Sequence, residues 1–234
     1  MKLTLTLPEE FSYEHSLQFL KRSPKELLHT LEGNSVYKAI PIDNEIVLFS
    51  VSEKKNTLII DFIKTKPSTS QQEKTKRFVT EWFDLETNLK PFYQLARKDE
   101  LLKPLIKKYS GYRIVGQPDL FESLIWAVLG QQINLGFAYT LKQRFVEKFG
   151  DAIHWNGNAY HLFPSPEKVA TLTDDDLLPL QFSRQKSKYT VGIAQVFAEG
   201  VVSKNQLMGL PLAEAKEKLM TIKVLATGQP IMPS

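Results

Sequence analysis

Apolar and polar residues alternate through much of the first sixty or so positions of the chain, whereas beyond about residue 70 the apolar ones recur every three or four. The first period is that of a strand with one buried face, and the second that of an amphipathic helix. Residues 2–7 alternate strictly. Residues 13–20 place Leu17, Phe19 and Leu20 at helical spacing. Four strand-like runs follow, at residues 26–31, 36–41, 46–51 and 58–63, separated by Gly33-Asn34, Asp43-Asn44 and Lys55-Asn56. Such pairs supply left-handed turn residues. Strands this closely spaced predict an antiparallel meander, because parallel pairs need long crossovers.

A polar break at residues 66–70 ends this region, and no strand-like run of any length is read beyond it. Residues 71–85 carry Phe78, Val79, Trp82 and Phe83 on one helical face. Asp119, followed three residues later by Glu122, predicts a capping box opening a buried helix that holds Phe121, Leu124, Ile125, Trp126, Val128 and Leu129. Asn134 is placed to cap the next helix, which runs to Phe149 and stops at Gly150. Thr173, with Asp174, Asp175 and Asp176, starts another, and residues 184–199 and 211–222 complete the set, the last with Pro211 at its start. The fold class is therefore α+β: a small antiparallel sheet domain with helices over residues 1–110, then an all-α domain over 111–234. No internal repeat or low-complexity tract is present.

A chain of 234 residues with 42% hydrophobic content can bury a substantial core. No apolar run approaches the roughly 18 residues of a membrane span. The first residues lack the basic-then-apolar layout of a secretory leader. Cysteine is absent, which excludes disulfides and thiolate metal sites and points to a cytoplasmic protein. The net charge of +4 suits a polyanionic partner without demanding one.

Several chemistries find no support. His15, His29, His154 and His161 are scattered without zinc-ligand spacing. There is no phosphate-cradling glycine loop and no serine-nucleophile elbow. No metal, cofactor or covalent nucleophile is expected.

Three stretches carry a family resemblance: Phe19-Leu20 after the N-terminal strand, Leu129-Gly130-Gln131-Gln132-Ile133-Asn134 between two helices, and residues 211–223. With the segments between them, they resemble DNA-3-methyladenine glycosylase II, the alkylation-repair branch of the helix-hairpin-helix glycosylases, in a Bacillus-like form. The likeness runs from about residue 3 to residue 223. In that family a hairpin reading Gly-Ile-Gly, one variable residue, then Trp-Thr-Ala-Asn-Tyr follows a segment similar to Leu219-Met220-Thr221-Ile222-Lys223. Here the chain reads from Val224 to Ser234 instead.

A one-nucleotide deletion accounts for that departure. A DNA string encoding Gly-Ile-Gly-His-Trp-Thr-Ala-Asn-Tyr-Ala-Leu-Met-Arg, its synonymous codons chosen to fit, loses its first G and then reads as Val224 through Ser234 followed by a stop. The expectation is a frame break after Lys223 that removes the hairpin and a downstream catalytic Asp. The alternatives are a natural short form, acting as a non-catalytic DNA-binding fragment, and a pseudogene product.

The resemblance implies base-excision repair. An alkylated purine is flipped out of the duplex and its N-glycosidic bond is hydrolysed by a monofunctional enzyme. Double-stranded DNA bearing alkylated bases is the implied partner, the protein acting as a monomer without a cofactor or a membrane. Gln131 and Gln132 sit where the family inserts a loop into the duplex, Gln132 at the inserting position; the bland reading is that both amides cap helix ends. Phe19 resembles an aromatic of the base pocket, where a ring face attracts a cationic alkylpurine. Arg184 and Lys186, with Lys188, are candidates for phosphate contacts. Trp126 reads as core. No catalytic residue is assigned within the chain, and the three adjacent acids at 174–176 are explained by the dipole of the helix they open. The chain as written is expected to be unstable and inactive, its last helix exposing Leu212, Ala215, Leu219 and Ile222. The N-terminal match is read as favouring alkylated purines over oxidised ones.

Overall fold

The computed structural model describes residues 1–64 and 66–226. The N-terminal region holds β1 (Lys2–Thr6), α1 (Tyr13–Leu20), β2 (Thr30–Glu32), β3 (Ser35–Ile42), β4 (Glu45–Glu53) and β5 (Thr57–Ile63). The five strands form one sheet in the order β1-β5-β4-β3-β2, every pair antiparallel. Asp43 and Asn44 join β3 to β4 with φ of 53° and 62°, and Lys55 and Asn56 join β4 to β5 with φ of 50° and 57°. Two consecutive left-handed residues match the right-handed twist of the strands, which is why both hairpins close in two residues.

The strand expected at residues 26–31 is shorter and later, at Thr30–Glu32. At the start of the expected run the Glu26 carboxylate pairs with Lys142, and just before it the Lys25 ammonium donates to Thr140 Oγ1.

On one sheet face Val36, Phe49, Val51, Leu58 and Ile60 are wholly buried with Tyr13, Leu17 and Leu20 of α1 and with Val79, Trp82 and Phe83. Each such side chain contributes roughly 1.5–3 kcal/mol of transfer free energy. Tyr13 Oη donates to the Val51 carbonyl at 2.6 Å, and burial pushes its phenol well above the ordinary value, so the donor keeps its proton. Helix α2 (Thr69–Trp82) begins in a reciprocal box between Ser68 and Gln71. Two short helices that the periodicity did not show follow, α3 (Lys90–Ala96) and α4 (Leu102–Lys108). Arg113, 3% exposed, donates from Nε to the Glu10 carbonyl at 2.7 Å and from Nη1 to the carbonyls of Asp84 and Thr87. It gathers three loops at one point.

The helical region comprises α5 (Leu120–Gly130), α6 (Leu135–Phe149), α7 (Pro166–Val169), α8 (Asp174–Leu177), a 3-10 turn at Leu178–Leu180, α9 (Arg184–Ala198), α10 (Lys204–Met208) and α11 (Leu212–Ala226). Its core joins Phe121, Ile125 and Leu129 of α5 to Leu141 and Phe145 of α6 and Ile193 and Ala194 of α9. Gly150 ends α6 without a left-handed turn. A Cβ there would lie 2.4 Å from the Leu162 carbonyl oxygen, so close approach of the backbone selects the glycine. Helix α11 packs against α9, and the face expected to be exposed is split. Ile222 is buried and Ala215 packs on the core, whereas Leu212 is 85% exposed.

One hairpin corrects the reading of an all-helical second half. Ala152–Trp155 and Asn158–His161 pair as β6 and β7 around Asn156 and Gly157, whose φ are 48° and 80°. Asn-Gly is the strongest short hairpin signal, but its two flanking strands of four residues are too short to show alternation.

The chain divides into two units that are not contiguous in sequence. The first comprises Met1–Pro24, Leu28–Pro118 and Ile153–Tyr160; the second comprises Lys25–Leu27, Asp119–Ala152 and the chain from His161. Within the first, Tyr37 of β3 meets Trp155 and Tyr160 of the hairpin, with ring centroids 6.1 and 5.7 Å apart.

Candidate nucleic-acid interface

Four residues, Gln131 to Asn134, connect α5 to α6. Asn134 accepts the Phe137 backbone N–H at 2.9 Å and so caps α6, as its residue type predicts. Ile133 faces inward and packs on the helical core. Gln131 and Gln132 are both exposed, and among the described residues neither side-chain amide has a hydrogen-bond partner. Gln132 adopts φ 59°, a left-handed conformation that costs a non-glycine residue about 1 kcal/mol or more.

The far end of the loop is fixed by Lys186. Its ammonium donates to the carbonyls of Val128 at 2.8 Å, Leu129 at 2.9 Å and Gln131 at 2.8 Å. The first two lie in the last turn of α5, where carbonyls lack i+4 partners, and that of Val128 also accepts the Gln131 N–H at 3.3 Å. A cation at this point also complements the negative end of the helix dipole, typically by 0.3–1 kcal/mol. Partial burial pulls the Lys186 pKa below the ordinary lysine value. Lysine has three N–H donors and all three have a carbonyl here. Lys186 is therefore joined to the loop, not held out for a phosphate as the sequence reading expected.

With α5 capped by Lys186 and α6 by Asn134, the two glutamine side chains are not required at either helix end. Their bland reading as caps finds no hydrogen bond to support it.

Arg184 and Lys188 lie on the first two turns of α9 and are both exposed. No acid sits in the first turn of that helix, whose N-cap is Ser183. Cations at a helix N-terminus oppose the dipole, so α9 presents a positive end with two basic side chains on it. The first turn is held from below, because Ser187 Oγ donates to the Asp174 carboxylate. Asp176 accepts from the Thr173 N–H and hydroxyl, both at 2.9 Å, and those two bonds hold its carboxyl below the usual range. Of the acids that open α8, Asp176 is thus engaged at the start of its own helix and Asp174 at the start of α9.

The start of α5 and the middle of α6 are joined by an ion pair that has no signature in the sequence. Lys142 Nζ meets Glu122 at 2.9 Å and Glu26 at 3.0 Å, and all three side chains are about one-tenth exposed. Desolvation alone would lower the Lys142 pKa. The two carboxylates outweigh it and hold the ammonium above its ordinary value. In the box expected at this helix start, Asp119 accepts the Glu122 N–H at 2.7 Å, but the Glu122 carboxylate turns to Lys142. Trp126, read as core, is half-buried against Tyr139 with centroids 4.9 Å apart, its ring 5.4 Å from the Lys142 ammonium.

In the other unit, Phe19 on α1 is half-buried, and the Arg22 guanidinium lies 3.8 Å from the centroid of its ring. The ring thus already serves as a platform for a planar cation. Arg22 stands in the turn that follows α1, its N–H donating to the Phe19 carbonyl at 3.2 Å. Among the described residues no group of His, Asp or Glu side chains could hold a metal ion, and no helix is long and apolar enough to cross a membrane.

Comparison with known proteins gives a consistent result. The family described as "8-oxoguanine DNA glycosylase, N-terminal domain" matches residues 5–124, and "HhH-GPD superfamily base excision DNA repair protein" matches residues 125–231. A protein of Bacillus subtilis (strain 168) named DNA-3-methyladenine glycosylase is 42% identical over 224 residues, which span 94% of this chain and 74% of the relative. Among solved structures, the 3-methyladenine DNA-glycosylase of Archaeoglobus fulgidus superposes with a TM-score of 0.78 at 23% identity, covering 97% of this chain and 80% of that one. The 8-oxoguanine glycosylase/lyase of Clostridium acetobutylicum, solved with double-stranded DNA, gives 0.67 at 18% identity, covering 97% and 77%. These two structures share the fold.

Proposed function

Because the chain belongs to the HhH-GPD superfamily of base-excision DNA repair proteins and, within it, to the DNA-3-methyladenine glycosylases, we propose that it inspects duplex DNA for alkylated purines. In this reading it acts as a monomer and without a cofactor. The observation that carries the reading is the four-residue loop between α5 and α6, which presents two exposed, unpartnered amides, Gln131 and Gln132. When a purine leaves the stack, the gap must be filled and the orphaned base given hydrogen-bond partners. A primary amide both donates and accepts, so it can serve any orphaned pyrimidine. Gln132, held left-handed at the turn, takes the inserting position.

Phe19 is proposed to receive the flipped base. Its face already attracts the Arg22 guanidinium, and an N-alkylated purine is likewise a planar cation. Arg184 and Lys188, on the positive end of α9, supply phosphate contacts. The preference for alkylated over oxidised purines rests on the 42% identical relative. The N-terminal domain does not decide it, since the matching family there takes its name from an 8-oxoguanine enzyme.

The chemistry proposed is hydrolysis of an N-glycosidic bond by a monofunctional enzyme, with one Asp stabilising the developing sugar cation. Most of the tail on which the expected frame break rests, from residue 227 on, lies outside the described residues. Asp174 and Asp176 do not replace that Asp, because both are engaged at the start of α8 and α9.

The test uses a duplex oligonucleotide methylated at purines. The 234-residue chain should bind it in a salt-dependent way and release no free 3-methyladenine. Sequencing the coding DNA past the Lys223 codon should open a frame containing Gly-Ile-Gly, one residue and Trp, and the protein made from that frame should release the base. Failure of both forms to bind duplex would refute the reading.

A further inference from the structure

We propose that Lys186 is the positioning residue of the duplex-probing loop, acting as an internal cation that fixes where Gln131 and Gln132 stand. The proposal deepens the function given above and rests on it for the role of the loop, but not for the clamp itself. Three carbonyl oxygens, from Val128, Leu129 and Gln131, converge on one ammonium within 2.9 Å. Two of them close α5, and the third belongs to the loop. The same cation therefore ends the helix and holds the residue next to Gln132.

The loop has few other restraints. Its glutamine side chains have no partner among the described residues, and its other anchors are the 3.3 Å bond from the Gln131 N–H to the Val128 carbonyl, the Asn134 cap and the inward-facing Ile133. Gln132 sits in a conformation that a free loop would leave, at φ 59°. Without the Lys186 ammonium, three carbonyls at a negative helix end would repel one another and the turn would relax outward. The clamp is itself held, because Lys186 lies between Ser183, which caps α9, and Ser187, which bonds to Asp174. The start of α9, with the phosphate-contacting Arg184 and Lys188, is thereby fixed in register with the loop. The geometry specifies a lysine: a guanidinium spreads its donors in one plane and cannot direct three of them onto three converging carbonyls.

The experiment compares the unaltered chain with K186M, K186R and Q132A by amide hydrogen exchange at residues 130–134 and by binding to a duplex carrying a tetrahydrofuran abasic site. Exchange at the loop should quicken by about ten-fold or more in K186M and by less in K186R. Exchange in the middle of α9 should stay as it was. Binding should weaken about ten-fold in K186M, and in a Q132A background the same change should matter less than about two-fold, because the two residues act through one element. A folded K186M with unchanged loop exchange overturns the proposal. Should K186M not fold, K186R decides alone: exchange at the loop equal to that of the unaltered chain overturns the clamp. Quickened exchange together with no duplex binding by the unaltered chain leaves the clamp established and removes the DNA-inspecting function instead.

Discussion

Lys142 of α6 lies 2.9 Å from the Glu122 carboxylate of α5, with both side chains about nine-tenths buried. A second carboxylate, Glu26, reaches the same ammonium at 3.0 Å. Attraction in such a cluster is largely offset by the cost of taking three charges out of water, but removing one member leaves the others uncompensated. K142M should therefore destabilise the fold by about 3–5 kcal/mol, whereas replacing all three residues by apolar ones of similar size should recover most of that loss. Urea denaturation measures both. A K142M midpoint within error of the unaltered chain would show that water reaches the cluster.

Gln132 offers the opposite case, a residue whose removal helps the fold. Its φ of 59° costs a side chain more than it costs glycine. Q132G should hold stability level or raise it by up to about 1 kcal/mol, while weakening the binding of abasic duplex. Thermal melting and fluorescence anisotropy on the same samples separate the two effects. Loss of stability and of binding together would mean that Gln132 is a structural turn residue.

The positive end of α9 should be visible in salt titrations. Each phosphate neutralised adds about 0.9 to the slope of log affinity against log salt. The double variant R184A/K188A should lower that slope by about 1.8 and weaken all duplex sequences alike. An unchanged slope would place the phosphate contacts elsewhere on the protein.

Acid stability should depend in part on Asp176. Its two hydrogen bonds from Thr173 depress the folded-state pKa below the unfolded value of about 3.9. A depressed carboxylate stabilises the fold above the unfolded pKa, and that contribution is lost as pH falls through the folded one. D176N should flatten the decline in melting temperature below about pH 4 without altering the plateau above it in shape. An identical acid limb in D176N would exclude this group as a contributor.

What could be read from sequence was what local chemistry decides. The turns at Asp43-Asn44 and Lys55-Asn56, the caps Asp119 and Asn134, and Asp176 at the start of α8 each depend on neighbours within four residues. Lys186 could not be read this way. Its partners are backbone carbonyls 55 to 58 positions earlier, and a carbonyl has no signature in sequence. The same holds for Lys142, whose two carboxylates lie 20 and 116 residues away. A basic residue at a helix start was read as facing a phosphate because charge type was visible and its distant partner was not. The glutamine loop was recognised through its resemblance to a family, and its freedom from capping duties emerged only once both helix ends were seen to be satisfied by other residues.

The short exchange of Lys25–Leu27 for Ile153–Tyr160 between the two units bears on how the chain can be made. During synthesis the five-stranded sheet leaves the ribosome almost whole, yet Tyr37 waits for Trp155 and Tyr160, which follow more than a hundred residues later. At elongation rates of about 5–20 residues per second that is a delay of several seconds, long compared with the formation of a hairpin. A cut placed at Pro118 would therefore yield no self-sufficient halves: one would lack its closing hairpin and the other the segment that brings Glu26 to Lys142. Any attempt to dissect this protein must keep both borrowed segments, or graft them back.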